Sequence, residues 1–169
     1  FILLLSSLYF TYSFDLSINS FFSKINYGYG EKYLKDFFIK ITNLGDSLWY
    51  FLIFLTTLLT SYLLKQTNKH NYLRRLSFFC LSYLFTVGVI TQLIKHVVGR
   101  PRPNHTNIEE GIIFNSFSTD AIFHSFPSGH ASTIISITLI FTMVFPGLKI
   151  FFYICGFLVA ISRVVNGAH

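Results

Sequence analysis

Charge is scarce in this sequence. Only 12% of its 169 residues are Asp, Glu, Lys or Arg, while 52% are hydrophobic. A soluble domain of this length needs a charged surface, so the balance excludes one. Cysteine is nearly absent as well. Cys80 and Cys155 both lie inside apolar runs, with no metal-ligand spacing and no disulfide framework, and read as small core or lipid-facing residues. Acids are scarcer than bases, and the net charge is +6. The bases are scattered over segments that flank apolar runs, without forming one stripe, which argues against a nucleic-acid surface. The sequence shows no repeat of usable length and no low-complexity tract. It starts at Phe1, inside an apolar run, and ends at His169, directly after Gly167-Ala168. The expectation is a fragment of one domain that lacks part of a first helix and a whole last one.

What is present is a series of long uncharged runs, the signature of helices that cross a bilayer. Residues 1–14 predict the back half of such a helix, with Asp15 at its exit; a removed signal peptide is the alternative. Residues 20–46 interleave Lys24, Glu31, Lys32, Lys35, Asp36 and Lys40 with Phe21, Phe22, Tyr33, Phe37, Phe38 and Ile39. They predict one or two short amphipathic helices in the membrane interface, or a loop that covers the bundle. Spans are predicted over 47–64, 76–94, 128–148 and 150–165, with Trp49 and Tyr50 at the position of interfacial aromatics. Residues 65–75 are short, basic and free of acids, which places them in the cytoplasm. Residues 95–126 then form an outer loop, and Pro146-Gly147-Leu148-Lys149 a tight cytoplasmic turn. The fold class is all-α, a transmembrane helical bundle with about five spans in one domain over residues 1–169. The alternation of spans puts Lys95, Arg102, His130, Arg163 and His169 at one membrane face.

Those residues belong to three strings. Pro127-Ser128-Gly129-His130 opens the long apolar run 131–148. Proline cannot continue a preceding helix, serine is a favoured N-cap, and glycine lets a ligand approach the backbone. The first amides of the helix lack internal partners, and the helix dipole there favours negative charge. His130 adds a proton donor or acceptor at the same spot. Lys95-His96-Val97-Val98-Gly99-Arg100-Pro101-Arg102-Pro103 and Ser162-Arg163-Val164-Val165-Asn166-Gly167-Ala168-His169 supply the other two strings. Ionisable groups at membrane depth are costly, so clustered ones point to function. Three cations around a capped helix N-terminus suit a dianion such as a phosphate monoester. Two histidines add a nucleophile and a proton shuttle. On an unbroken helix, residues six apart diverge by about 240° and about 9 Å, so the Asn166-Gly167 break is what can turn His169 back toward a phosphate held by Arg163.

The pattern Lys-x6-Arg-Pro, Pro-Ser-Gly-His, Ser-Arg-x5-His resembles that of the type 2 phosphatidic acid phosphatase superfamily, over roughly residues 95–169. The superfamily includes membrane lipid phosphatases, bacterial acid phosphatases and vanadium haloperoxidases. The resemblance implies a six-helix bundle with a metal-independent site facing outward and no cofactor. It implies His169 as the nucleophile that becomes phosphohistidine. It implies His130 as the acid that protonates the leaving alkoxide and then the base for water. Lys95, Arg102, Ser128, Gly129 and Arg163 would hold the phosphate oxygens. The expected activity is that of a lipid phosphatase at the outer leaflet, in a bacterium the periplasmic face of the inner membrane. Candidate substrates are lipid A, undecaprenyl diphosphate, phosphatidylglycerol phosphate and phosphatidic acid. The partners are then a lipid phosphate and the bilayer, with no nucleic acid. The Asp that usually follows the nucleophilic His in the family lies beyond the end of the sequence. Family spacing selects Arg102 over Arg100, which leaves Arg100 as a surface or head-group contact.

Other readings remain open at this level. Lys95, Arg102 and Arg163 could be snorkelling interfacial anchors. His96, His105 and His124 read as loop residues. Glu109, Glu110, His124 and His130 lack a recognised zinc spacing. Asn104-His105-Thr106 fits a glycosylation sequon. A phosphotransferase with a lipid acceptor, a non-catalytic anion-binding or transport protein, and a haloperoxidase-like enzyme are the competing functions.

Overall fold

The uncharged runs fold as helices, and the caps between them decide how the helices are aimed. The computed structural model describes residues 31–64, 67–102 and 114–166, with the backbone alone for Glu31, Lys32, Leu34 and Lys35. The expected span over 1–14 and the first part of the interfacial segment lie outside them, as do His105, Glu109, Glu110, the sequon and His169.

Helix α1, Glu31–Thr42, is the amphipathic helix expected in this region, with Tyr33, Phe37 and Ile39 exposed. A 3-10 turn, Asn43–Gly45, leads to Asp46, whose side chain accepts from the Leu48 amide at 3.0 Å and starts helix α2, Ser47–Leu63. The threonines of α2 do not interrupt it. Thr56, Thr57 and Thr60 donate back to the carbonyls of Leu52, Ile53 and Thr56, so these three hydroxyls are satisfied within the helix.

Helix α3, Asn68–Val98, is longer than the predicted span over 76–94. Thr67 accepts from the His70 amide at 3.4 Å and caps its start. The stretch expected as a basic loop is therefore largely the first two turns of α3, since Lys and Arg are good helix formers. Gly99 ends the helix with φ 58°, its amide bonded to the Lys95 carbonyl at 2.9 Å. That is the left-handed closure glycine favours. A Cβ at Gly99 would also collide with the Asn115 carbonyl.

Helix α4, Gly129–Val144, is shorter than the predicted 128–148. Its 16 residues reach about 24 Å. A 3-10 turn, Pro146–Leu148, replaces its expected end and leads into helix α5, Lys149–Val165. Among the described residues two stretches, Asn68–Val98 and Pro146–Val165, are long and apolar enough to cross a membrane. The pair Asp36–Gly45 and Ser47–Leu63, bent by 40°, makes a third if taken as one span. The chain is an integral membrane protein built as an all-α bundle; among the described residues there is no strand.

Helix α2 packs along α3, α4 lies between α3 and α5, and α1 rests against α5. Cys80 and Leu84 of α3 meet Ile137 and Ile140 of α4 in the buried core, so of the two readings open for Cys80, core or lipid-facing, it takes the first. At the α4–α5 crossing, a Cβ on Gly156 would stand 2.5 Å from Thr138 Oγ1, so the glycine permits the close approach. Helices α2 to α5 run alternately up and down. The start of α2, the end of α3, the start of α4 and the end of α5 therefore share one end of the bundle.

Candidate functional site

That shared end is where the three strings converge. Ser128 caps α4, its hydroxyl accepting from the Ala131 amide at 3.4 Å while its carbonyl receives the Ser132 hydroxyl at 3.0 Å. Gly129 and His130 form the first turn. Lys95 emerges from the last turn of α3, and its Nζ lies 3.7 Å from where a Cβ on Gly129 would stand. Arg163 emerges from the last turn of α5. Arg102 and Arg163 both lie close enough to Lys95 to repel it electrostatically, and His130 senses Arg163, Lys95 and the carboxylate of Asp46. Lys95, Arg102, Ser128, Gly129, His130 and Arg163 are thus brought together. The helix α5 ends at Val165, with Asn166 in the turn and its amide bonded to the Ser162 carbonyl at 3.0 Å, where the sequence put the break.

The loop that carries Arg102 is tied down by backbone pairing. The Arg102 amide donates to the Ile122 carbonyl at 2.9 Å, and the Ser125 amide to the Arg100 carbonyl at 3.1 Å. Buried Ser125 adds a hydroxyl bond to the Pro101 carbonyl at 2.8 Å. The two segments, 99–102 and 120–127, thus hold each other beside the start of α4. Arg100 is not the surface residue expected. It is 6% exposed, and its guanidinium carbon sits 5.9 Å from the Phe126 ring centre. A cation at that distance from an aromatic face gains from the ring quadrupole. His96 and His124 pair with each other, ring centres 4.4 Å apart, and His124 Nε2 contacts the Ser118 carbonyl at 2.8 Å. They brace the loop. Among the described residues no three His, Cys, Asp or Glu side chains gather as a metal site would require.

Residues outside the three strings also face this end. Thr42, the last residue of α1, accepts a hydrogen bond from Arg163 Nη1 at 3.0 Å. Gly45 backs His130 so closely that a Cβ would lie 2.8 Å from the His130 Cβ. Asp46 follows it. Their sequence signal is weak: Gly45-Asp46 reads as a helix start and nothing more. From Lys95 and Gly129 a groove of 660 Å³ runs along α2, α3 and α4, walled by Phe51, Leu84, Phe85, Val89 and Leu93. Gly88 lines it, with nothing within 4 Å of the place its Cβ would occupy.

Fold and site together define a class: a membrane helical bundle with a cluster of cations at one end and an apolar groove leading from it. A family model described as the PAP2 superfamily matches residues 75–169, and the chain belongs to that superfamily. Over 138 residues, 76% of this chain, it is 33% identical to a protein named lipid A 1-phosphatase from Rhizobium etli, covering 59% of that relative. A lipid A 1-phosphatase from Rhizobium johnstonii is 33% identical over the same length, with 56% of it covered. The chain thus spans a little over half the length of these curated relatives. No solved structure matches it.

Proposed function

We propose that the protein is a lipid phosphatase that removes a phosphate ester group from a membrane lipid, with the 1-phosphate of lipid A as the favoured substrate. The observation that carries this reading is the convergence of Lys95, Arg102 and Arg163 on the capped start of α4, beside His130. Such an arrangement neutralises and orients a phosphoryl dianion, and phosphoryl transfer asks chiefly for positioning and charge stabilisation. The groove that begins at Lys95 and Gly129 suits an acyl chain attached to that phosphate. The name of the relatives supports lipid A among the lipid phosphates.

In the proposed reaction Lys95, Arg102, Arg163 and the amides at Ser128 and Gly129 bind the phosphate oxygens. The imidazole of His169 attacks phosphorus, and the P–O bond to the lipid breaks as His130 protonates the departing oxygen. Water, losing its proton to His130, then attacks the phosphohistidine and releases inorganic phosphate. The cations supply the charge stabilisation, so the reaction needs no metal. The site faces the periplasm from the inner membrane, which follows from placing the basic start of α3 in the cytoplasm.

The test is phosphate release by the purified full-length protein in the presence of EDTA. Short-chain phosphatidic acid, lipid A, phosphatidylglycerol phosphate and undecaprenyl diphosphate are offered side by side. Release is expected, fastest from lipid A. Failure with all four would favour a non-catalytic anion-binding protein, and transfer of labelled phosphate to a lipid acceptor would identify a phosphotransferase.

A further inference from the structure

Arg163 is held from outside the three strings. Its Nη1 donates to Thr42 Oγ1 at 3.0 Å, joining the end of α5 to the end of α1. Thr42 is 8% exposed, so water does not compete freely for its hydroxyl. Arg163 Nε is buried and has no hydrogen-bond partner among the described residues, which leaves the Thr42 bond to set the plane of the guanidinium. A guanidinium is a rigid planar fork of five donors, so fixing one nitrogen aims the others. Three residues on, Gly45 abuts the backbone and Cβ of His130, at 3.0 and 2.8 Å from the place of its own missing Cβ. One turn therefore touches both the residue that carries the end-of-helix cation and the residue that carries the imidazole. That turn lies outside residues 75–169, the part matched to the family.

Resting on the function proposed above, we propose that Thr42 is a positioning residue: its hydroxyl oxygen holds the Arg163 guanidinium so that its free N–H groups face a phosphoryl oxygen. Thr42 does not touch the substrate; it acts through Arg163. Losing the acceptor leaves the arginine charged and near the site but free to swing, which weakens the grip on the phosphoryl group in both ground and transition states.

The experiment is a double-mutant cycle on the full-length protein in detergent, with Thr42→Val, Thr42→Ser, Arg163→Lys and the Thr42→Val/Arg163→Lys pair. Hydrolysis of short-chain phosphatidic acid gives kcat and KM, and orthovanadate binding, followed by vanadium NMR, reports on the anion site without turnover. Thr42→Val should lose about tenfold or more in kcat/KM, the scale of a hydrogen bond to a charged group, and bind vanadate correspondingly more weakly. Thr42→Ser, which keeps the hydroxyl, should retain most of both. On top of Arg163→Lys, the Thr42→Val change should add little, because the contact it removes is already gone. The proposal is overturned if Thr42→Val costs the same factor in both backgrounds, if Thr42→Ser is as impaired as Thr42→Val, or if Thr42→Val leaves vanadate binding intact. Should Thr42→Val not fold, Thr42→Ala takes its place in every comparison. An unmodified protein that binds vanadate but hydrolyses none of the lipids defeats the phosphatase reading and leaves the Thr42 contact to be judged on vanadate alone. An Arg163→Lys protein with unchanged vanadate binding defeats the Thr42 proposal too.

Discussion

His130 is hemmed in at both levels of its backbone. Ser128 fixes the helix start beneath it, and the bare α-carbon of Gly45 fills the space behind its Cβ. Three outcomes follow at this scale. His130→Ala should slow hydrolysis most for lipids with poor leaving groups, since those depend on a proton from the imidazole; a set of esters of graded leaving-group pKa measures it. Gly45→Ala should force His130 to shift, because backbone and Cβ atoms at 2.8–3.0 Å cannot yield as a flexible side-chain tip would. A stability loss of about 1–3 kcal/mol is expected from such overpacking, together with lower kcat, read by thermal unfolding and steady-state kinetics. If His169 is the nucleophile, His169→Ala should drop turnover by on the order of 10³-fold or more, as loss of an attacking group does in other covalent enzymes. The cap string was legible in the sequence because Pro127, Ser128 and Gly129 act on their nearest neighbours. Thr42 was not, since its partner is Arg163, and a contact between the ends of two distant helices leaves no local pattern. Arg100 misled for a related reason: its burial beside the ring of Phe126 joins two separate segments, which leaves no local pattern either.

The helices were legible as apolar runs, but their ends were not. A span is read by where charge begins, whereas a helix stops only where its hydrogen-bond ladder is capped. Helix α3 therefore passes through Lys69, Arg74 and Arg75 back to Thr67, and onward past Lys95 to Gly99. Helix α4 errs the other way, ending at Val144 while the apolar sequence continues into a 3-10 turn. Two glycines test the packing of these elements in opposite senses. Gly156→Leu should wedge α5 away from Thr138 and destabilise the bundle by about 1–3 kcal/mol, measured as a lower Tm. Gly88→Leu meets open space, so the fold should keep its Tm. Its new side chain would enter the groove, and the ratio of activity on long-chain to short-chain lipid phosphates should fall several-fold. An unchanged ratio would separate the groove from the substrate.

At the scale of the molecule, no single element owns the pocket. The end of α1, the start of α2, the end of α3, the loop before α4, the start of α4 and the end of α5 each deliver one part of it. The family pattern covers only residues 75–169, yet the turn over 42–46 supplies contacts to both Arg163 and His130. Removing α1 and α2 should thus leave a chain that still carries all three strings but grips phosphate poorly.

On the proposed reading, the groove also sets the dimensionality of the encounter. Its walls include Phe85, Val89 and Leu93, side chains exposed along the apolar helix α3, and it reaches Lys95 at one end. A molecule arriving that way diffuses in a sheet, never through water. The quantity that governs velocity is then its mole fraction in the surrounding amphiphile, so diluting it with inert detergent at constant bulk concentration should slow the reaction in proportion.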